Sequence, residues 1–250
     1  MTDSKKHDYL NIMGISAWES REAASVAEPV SPFTVTTPSH AQETLELPDG
    51  APPHETSDAP EGDAAPAAAW EELAAQVSAC TACELRKTRT QTVFGVGSRT
   101  ADWMFIGEAP GADEDRQGEP FVGRAGRLLN SMLEAIGFSR DEVYIANILK
   151  CRPPNNRDPA PAEAQACEPF LLRQIALIEP RIILAVGRIA AQNLLATTTP
   201  IGQMRGRRYT FRETGIPVVV TYHPAYFLRS PLQKRRGWED LLSARRICAQ

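Results

Sequence analysis

The stretch DWMFIGEAPG, residues 102–111, decides the fold of this chain because it joins a buried strand to a glycine-rich loop. Its first six residues form a short apolar run, which is typical of a strand covered on both faces of a sheet. Three similar runs follow and predict three further strands, at residues 143–149, 181–186 and 217–222.

Helical patterns alternate with these strands. One apolar stripe has helical spacing and ends at Gly137, a typical residue just beyond a helix C-terminus; it comprises Leu128, Leu129, Met132, Leu133 and Ile136. Other helices are predicted around Trp70, from Pro161 onward, at 188–195 and at 235–247. The alternation predicts an α/β fold: a three-layer α/β/α sandwich around a short, mostly parallel, four-stranded sheet.

Composition divides the 250-residue chain into three parts. Residues 1–24 hold several large apolar side chains and form either a short docking segment or a poorly ordered terminus. Residues 25–68 are rich in Ala, Pro, Glu, Ser and Thr, and we expect a disordered acidic linker because they can bury little apolar surface. Residues 69–250 are predicted to form the folded domain.

The charge is distributed unevenly along the chain. Residues 1–75 carry a net charge of −11, whereas residues 76–250 carry +7. A basic domain suits a polyanionic partner such as nucleic acid, although a solvated basic surface would have the same composition. The sequence has neither an 18-residue apolar run nor the apolar core of a secretory signal, and its five cysteines fit a reducing cytoplasm.

Four cysteines form a divided metal-ligand pattern. Cys80 and Cys83 make a C-x2-C pair, Cys151 follows after 67 intervening residues, and Cys167 follows after 15 more. Four thiolates can hold a [4Fe–4S] cluster or a tetrahedral zinc ion. The long interval is unlike a compact zinc ribbon and favours the cluster in a structural role, although ligand type leaves zinc open. Cys248 is interpreted as a free thiol.

The loops that follow the predicted strands carry the unusual polar residues. In a parallel sheet such loops meet at the carboxyl edge, where ligands bind. Gly107 permits a close approach of the backbone, and Glu108 leaves the strand end where it can orient a water or stabilise positive charge. The acidic triplet 113–115 is interpreted as a solvated or arginine-paired turn rather than a metal site.

Two residues have the chemistry to bind a planar base. Phe121 lies in a loop before a helix and can stack on a base, although a core side chain would have the same sequence context. Asn147 ends the second strand, and its amide offers the donor and acceptor that complement the N3–H and O4 edge of uracil, or the equivalent pattern on another amide-like base. An asparagine that merely caps the strand is equally consistent with the sequence.

The segment HPAYFLRSP, residues 223–231, follows the last strand. His223 is the one histidine of the predicted domain, and it can donate a hydrogen bond to charge that develops on a leaving group. A lone histidine is more often structural. We interpret the rest as a rigid apolar loop in which Tyr226 and Leu228 enter a duplex while Arg229 meets a phosphate.

Together these motifs, from about Trp70 to the C-terminus, resemble the family 4 uracil-DNA glycosylases. The resemblance implies an α/β/α fold, a [4Fe–4S] cluster on the four cysteines, and excision of uracil from single- or double-stranded DNA. It assigns the water-positioning role to Glu108, base stacking to Phe121 and recognition of the uracil edge to Asn147. His223 would stabilise the departing uracil anion, and Gly107 would help to line the pocket.

Other functions fit the residues less well. Family 5 relatives have an apolar residue where this chain has Glu108, and a cross-linking relative has a histidine-containing insertion that this chain lacks. A non-catalytic iron–sulfur DNA-binding or redox-sensing module would not need Glu108, Asn147 and His223 together. We expect a monomer that acts on uracil-containing DNA in base excision repair, with no membrane association and with an unknown protein partner for residues 1–24.

Overall fold

One six-stranded sheet forms the centre of the computed structural model, which describes residues 67–249. The strands are β1 Val96–Gly97, β2 Trp103–Gly107, β3 Tyr144–Asn147, β4 Ile182–Val186, β5 Tyr209–Thr210 and β6 Pro217–Thr221. Their order across the sheet is β1-β3-β2-β4-β6-β5. The four central strands run parallel to one another, and β1 and β5 pair antiparallel at the two edges.

The four predicted strands are therefore the parallel core of the sheet. Nearly every residue in them is buried, as the continuous apolar runs predict. The expected count of four strands is too low, because the sheet has an additional strand at each edge. Each edge strand contains two residues, which are too few to give a pattern in the sequence.

Helices cover the sheet between the strands. They are α1 Ala67–Ser78, α2 Ala112–Gln117, α3 Arg124–Ala135, α4 Pro161–Ile178, α5 Arg188–Leu194, α6 Ile201–Met204, α7 Pro224–Arg229 and α8 Lys234–Cys248. The predicted helices correspond to α1, α3, α4, α5 and α8. Gly137 ends α3 with a positive φ of 84°, and the Phe138 N–H then donates to the Leu133 carbonyl at 3.1 Å, as in a Schellman motif.

Alternate residues of the central strands pack into two separate cores. On β2, Trp103 and Phe105 face the core that α3 and α8 cover. Met104 and Ile106 face the opposite core, which α1, α4 and α5 cover. This period-two division places helices on both faces of the sheet and confirms the three-layer α/β/α sandwich.

The segment expected to be a rigid apolar loop, residues 224–231, is mostly helical. Pro224 occupies the first position of α7, where its missing N–H costs nothing. A 3-10 turn, Pro231–Gln233, then leads into α8. The prediction was wrong because the helix has only six residues and a proline at or just beyond each end, so the sequence shows no helical pattern there. The acidic triplet is likewise helical, since it lies in α2.

Two expectations concern residues outside the part of the chain that the structure describes. The proposed docking segment 1–24 lies outside the described residues, and so does the proposed linker except for its last two residues, which belong to α1. Within the described residues no helix is both long and apolar enough to cross a membrane.

Candidate active site

The loops after β2, β3 and β6 meet at the carboxyl edge of the sheet and line one cleft of about 590 Å³. The cleft contains five of the side chains singled out in the sequence, namely Glu108, Phe121, Asn147, His223 and Arg229. Parallel strands bring the ends of distant segments to one edge, which explains why residues up to 121 positions apart in sequence share a cleft.

Glu108 follows β2 directly and is half-buried in the cleft wall. The pKa of this carboxyl is raised to about 7, chiefly by burial and then by the negative charge of Asp158, while Arg188 opposes the shift. Asp158 and Arg188 form an ion pair of 2.5 Å beside it. The carboxyl is thus poised to change its protonation state close to neutral pH.

Asn147 ends β3, and only 2% of its surface is exposed. It pairs in register with Gly107 on the neighbouring strand. A Cβ atom on Gly107 would lie 2.4 Å from Asn147 Oδ1 and 2.6 Å from Phe121 Cζ. Glycine is therefore required at position 107 so that the amide and the aromatic ring can approach each other.

Phe121 adopts a left-handed backbone conformation with φ of 54°, which is uncommon for a bulky residue. Its ring lies against the His223 ring, with 5.5 Å between centroids and 26° between planes. The ring is largely buried and belongs to one of the two cores, yet it also lines the cleft. Both interpretations from the sequence, core packing and base stacking, are compatible with this position.

Two neighbours hold the unusual backbone at Phe121. Arg140 donates to the carbonyl oxygens of Pro120 and Phe121. Gly126 lets α3 pass close by, since a Cβ atom there would lie 1.7 Å from the Phe121 carbonyl oxygen. The strained conformation is therefore fixed by contacts on two sides.

His223 is the N-cap of α7. Its Nδ1 accepts a hydrogen bond from the Ala225 N–H at 3.2 Å, which assigns the ring proton to Nε2. The pKa of His223 is lowered to about 4, chiefly by burial and then by the nearby positive charge of Arg229, while Glu114 opposes the shift. The histidine is therefore a neutral hydrogen-bond donor at neutral pH. Gly187 lies next to the His223 side chain, because a Cβ atom at position 187 would be 3.1 Å from the His223 Cβ.

Glu114 is a cleft residue to which the sequence analysis gave no role. Its carboxylate accepts hydrogen bonds from the backbone N–H groups of Gly111, Val122 and Gly123, at 3.1 to 3.2 Å. It thereby joins the loop after β2 to the loop that carries Phe121. The spacing Gly111-x-x-Glu114 is the signal that could have found it, because an acidic residue at the third helical position commonly caps a helix start.

The other two acidic residues of the triplet also have protein partners. Asp113 forms an ion pair with Arg116, and the buried Asp115 accepts the Thr90 N–H at 2.9 and 3.1 Å. Of the three acidic residues only Asp113 is therefore arginine-paired, as expected; Glu114 and Asp115 bind backbone N–H groups instead, and the segment is a helix and not a turn.

The three residues predicted to contact DNA occupy different environments on α7. Tyr226 packs on Tyr222 with 4.6 Å between ring centroids. Leu228 is 36% exposed, and Arg229 is exposed at the cleft. Leu232, which the sequence analysis did not single out, is the most exposed large apolar residue of the described chain at 94%.

The four predicted cysteine ligands line a second, smaller cavity next to α1 and α4. Cys151 and Cys167 are buried, whereas Cys80 and Cys83 are partly exposed, and all four are free thiols. Among residues 67–249 no three or more His, Cys, Asp or Glu side chains are arranged to hold a single metal ion. The structure thus brings the four sulfurs to one cavity wall without defining a coordination geometry.

The surroundings of the sulfurs suit thiolate ligands. Arg89 Nη1 donates to Cys151 Sγ at 3.0 Å, and the Lys150 N–H donates to Cys167 Sγ at 3.2 Å. Burial raises the pKa of the Cys167 thiol to about 11, and it also raises the pKa of the Cys151 thiol. Burial alone thus opposes ionisation, whereas the two N–H donors stabilise a thiolate, and it is these donors and the four sulfurs that fit a thiolate-bound metal centre.

Comparison with known proteins identifies the family. Residues 94–242 match the family profile described as the uracil DNA glycosylase superfamily. The type-4 uracil-DNA glycosylase of Archaeoglobus fulgidus is 43% identical over 186 residues, which cover 72% of this chain and 94% of the relative. The type-4 enzyme of Thermotoga maritima is 45% identical over 156 residues, covering 62% and 81% of the two chains. A type-5 enzyme from Thermus thermophilus is 35% identical over 119 residues, covering 42% and 54%. The chain belongs to the type-4 uracil-DNA glycosylases of the uracil DNA glycosylase superfamily.

Proposed function

We propose that this protein hydrolyses the N-glycosidic bond of deoxyuridine in DNA, releasing uracil and leaving an abasic site for base excision repair. The observation that carries the proposal is the convergence of Glu108, Asn147, Phe121 and His223 in one cleft of a chain that is similar to type-4 uracil-DNA glycosylases. Uracil must leave the base stack to enter such a cleft, which costs a few kcal/mol and least at a mispair.

Recognition of the base falls to Phe121 and Asn147. The phenyl ring offers a flat face on which the extruded base stacks. The Asn147 amide supplies one donor and one acceptor, which complement the O4 and N3–H edge of uracil. Because Asn147 is almost fully buried and Gly107 adjoins it, the amide has little freedom to turn toward a different base.

His223 supplies the largest electrostatic contribution to bond breakage. As the N-glycosidic bond cleaves, electrons move onto the uracil ring, and negative charge accumulates at its O2. The Nε2–H of a neutral imidazole donates to that oxygen while remaining protonated throughout. The N-cap contact at Nδ1 keeps the donor nitrogen directed away from α7.

Glu108 acts on the sugar side of the bond. The departing base leaves an oxocarbenium-like sugar, and a carboxylate stabilises this cation and accepts a proton from the attacking water. The water oxygen bonds to the sugar C1′, its proton goes to the carboxylate, and the uracil anion later takes a proton from solvent. Glu108 performs this role in its ionised form.

Arg229 and the apolar residues of α7 hold the DNA while the base is extruded. The exposed Arg229 at the rim of the cleft is suited to a phosphate oxygen. Leu228 on α7 and Leu232 on the following 3-10 turn are exposed and can enter the duplex where the base has left. Tyr226 packs on Tyr222 and helps to hold α7, which carries Leu228, in place.

Cys80, Cys83, Cys151 and Cys167 are the residues that would hold a [4Fe–4S] cluster. When bound, the cluster would staple the segment after α1 to the segment after β3 and to α4, as a structural element away from the reacting bond. Support comes from the shared cavity, the N–H donors to two of the sulfurs, and the resemblance to the iron–sulfur family.

Uracil release from a labelled oligonucleotide with a single uracil, detected as alkali-labile cleavage, tests the proposal. A thymine-containing oligonucleotide of the same sequence is the control. Uracil-dependent cleavage is the expected result. Absence of cleavage by protein with its cluster intact would contradict the proposal and favour a non-catalytic DNA-binding module.

A further inference from the structure

Lys150 is completely buried, although lysine is rarely buried without a dedicated partner. Only 1% of its surface is exposed, and it lies three residues beyond the end of β3. Its Nζ donates to the Asn147 carbonyl oxygen at 3.0 Å and to Gln174 Oε1 at 2.6 Å. Removing an ammonium group from water costs several kcal/mol, and these two hydrogen bonds compensate for that cost. Burial of a lysine at this cost points to a specific role.

Gln174 fixes the second of these bonds. It projects from α4 with no exposed surface, and its Nε2 donates to the Phe94 carbonyl at 2.9 Å and to the Tyr144 hydroxyl at 3.0 Å. With both donor positions occupied, its Oε1 is directed toward Lys150. Tyr144 begins β3, the strand that Asn147 ends, so the network spans the strand.

The backbone around Lys150 forms hydrogen bonds toward both the cleft and the cysteine-lined cavity. Its N–H donates to Cys167 Sγ at 3.2 Å, and its carbonyl accepts the Val93 N–H at 2.8 Å. Two residues earlier, the Ile148 N–H binds the carbonyl of Gly107 at 2.9 Å. One short segment therefore connects the cleft with the cysteine-lined cavity.

The contacts of Lys150 exclude the usual roles of a lysine in a DNA-binding protein. The ammonium group is inaccessible to a phosphate because of its burial. It does not line the cleft, so it does not touch the base. Lys150 does line the cysteine-lined cavity, but its ammonium group bonds Gln174 and the main chain of Asn147, the residue whose amide lies in the cleft wall.

We propose that Lys150 is a positioning residue that holds Asn147 in its uracil-reading orientation. The inference rests on the proposed function, since it concerns how that site is built. It predicts that Lys150 affects turnover through Asn147 and not through the overall stability of the fold.

The first test replaces Lys150 with methionine, which keeps the stem and removes the donor. We expect kcat/KM for uracil release to fall about 100-fold, the loss typical of a misplaced catalytic group. The iron content and the visible absorbance of the purified protein should stay unchanged. Lys87→Met is the matched control, because Lys87 is exposed on the 3-10 turn and pairs only with Glu84 among the described residues; it should retain full activity.

A double-mutant cycle decides whether Lys150 acts through Asn147. In the Asn147→Ala background, Lys150→Met should cause little further loss, because the group that it positions is already gone. Losses that add independently in the double variant would overturn the inference, and so would an unchanged kcat/KM in Lys150→Met. Loss of iron from Lys150→Met would also overturn it, by assigning the residue to the cysteine cavity instead.

Gln174→Met provides the same decision if Lys150→Met does not fold. It leaves the bond from Lys150 to Asn147 but removes the second anchor, so we expect a smaller loss that again disappears in the Asn147→Ala background. The unsubstituted protein is assayed alongside. Absence of uracil release from it would overturn the proposed function as well, whereas an active parent with additive losses would overturn only the role of Lys150.

Discussion

His223 has one observed contact and one proposed function, which a substitution can separate. Its Nδ1 caps α7, and in the proposed mechanism its Nε2–H donates to the uracil O2. His223→Ala removes both, so we expect uracil turnover to fall about 10²–10³-fold, as when an oxyanion-hole donor is lost, with little change in DNA affinity. Stability should also fall by about 1 kcal/mol because the cap is lost.

His223→Ser distinguishes the two functions. Serine is a good N-cap but is too short to reach a base, so thermal unfolding should return close to that of the unsubstituted protein while turnover stays low. Full turnover in the serine variant, measured with the single-uracil oligonucleotide, would show that the histidine acts only as a helix cap.

The protonation of Glu108 should appear in the pH dependence of the reaction. Its pKa is raised to about 7, so the carboxyl is neutral below that pH and ionised above it. Because the ionised form assists, kcat/KM should rise with pH and level off above about pH 7. Glu108→Gln should abolish this rise and lower the plateau by about 10²–10⁴-fold.

The neighbouring ion pair allows the assignment to be checked. Asp158→Asn removes a negative charge near Glu108 and should move the rise in kcat/KM to lower pH. Arg188→Gln removes a positive charge and should move it to higher pH. A rise that stays in place in both variants would mean that a different group controls the profile.

At the scale of the elements, the turn between α7 and α8 carries the clearest prediction. Leu232 is 94% exposed on this turn, three residues beyond Arg229 at the cleft. If it fills the gap left by the extruded base, Leu232→Ala should slow uracil release from double-stranded DNA by about tenfold, since flipping a paired base costs a few kcal/mol. Single-stranded DNA has no stack to maintain and should be cleaved at the normal rate.

Leu228→Ala is the comparison for that experiment. Leu228 is less exposed, at 36%, and its loss should affect double-stranded DNA less than the loss of Leu232. Equal losses on single- and double-stranded substrates would indicate that neither leucine enters a duplex.

The elements also show which features of the fold the sequence could predict. The four central strands were predictable because burial on both faces leaves continuous apolar runs. The residues of the cleft were predictable because strand ends converge. The α7 helix was missed, since six residues between prolines carry no periodicity. The burial of Lys150 was also missed, because a lysine beside Cys151 and Arg152 looks like part of a solvated basic loop until α4 is seen to cover it.

At the scale of the whole molecule, α1 is the first element of the described domain. Trp70 is buried against Tyr144 with 5.5 Å between ring centroids, and Leu73 and Val77 complete the buried face of the helix. The described core is built from residues 67–249. A truncation that starts at Ala67 should therefore remain soluble and keep the brown colour of the proposed iron–sulfur cluster. A truncation that also removes α1 should lose its solubility or this colour.

The same truncation should change how DNA binding depends on salt. The truncation removes residues 1–66, whose net charge is −9, and leaves residues 67–250 with a net charge of +5. We expect the acidic segment to weaken DNA binding, because it repels the phosphates. The truncated protein should therefore bind a uracil oligonucleotide more tightly at low ionic strength. The difference should vanish as salt increases, since the Debye length is only about 3 Å at 1 M. Binding titrations of both proteins over a range of salt concentrations measure this directly. Identical affinities at low salt would show that the N-terminal charge does not reach the DNA-binding surface, and equal uracil release by both proteins would confirm that the chemistry belongs to the domain alone.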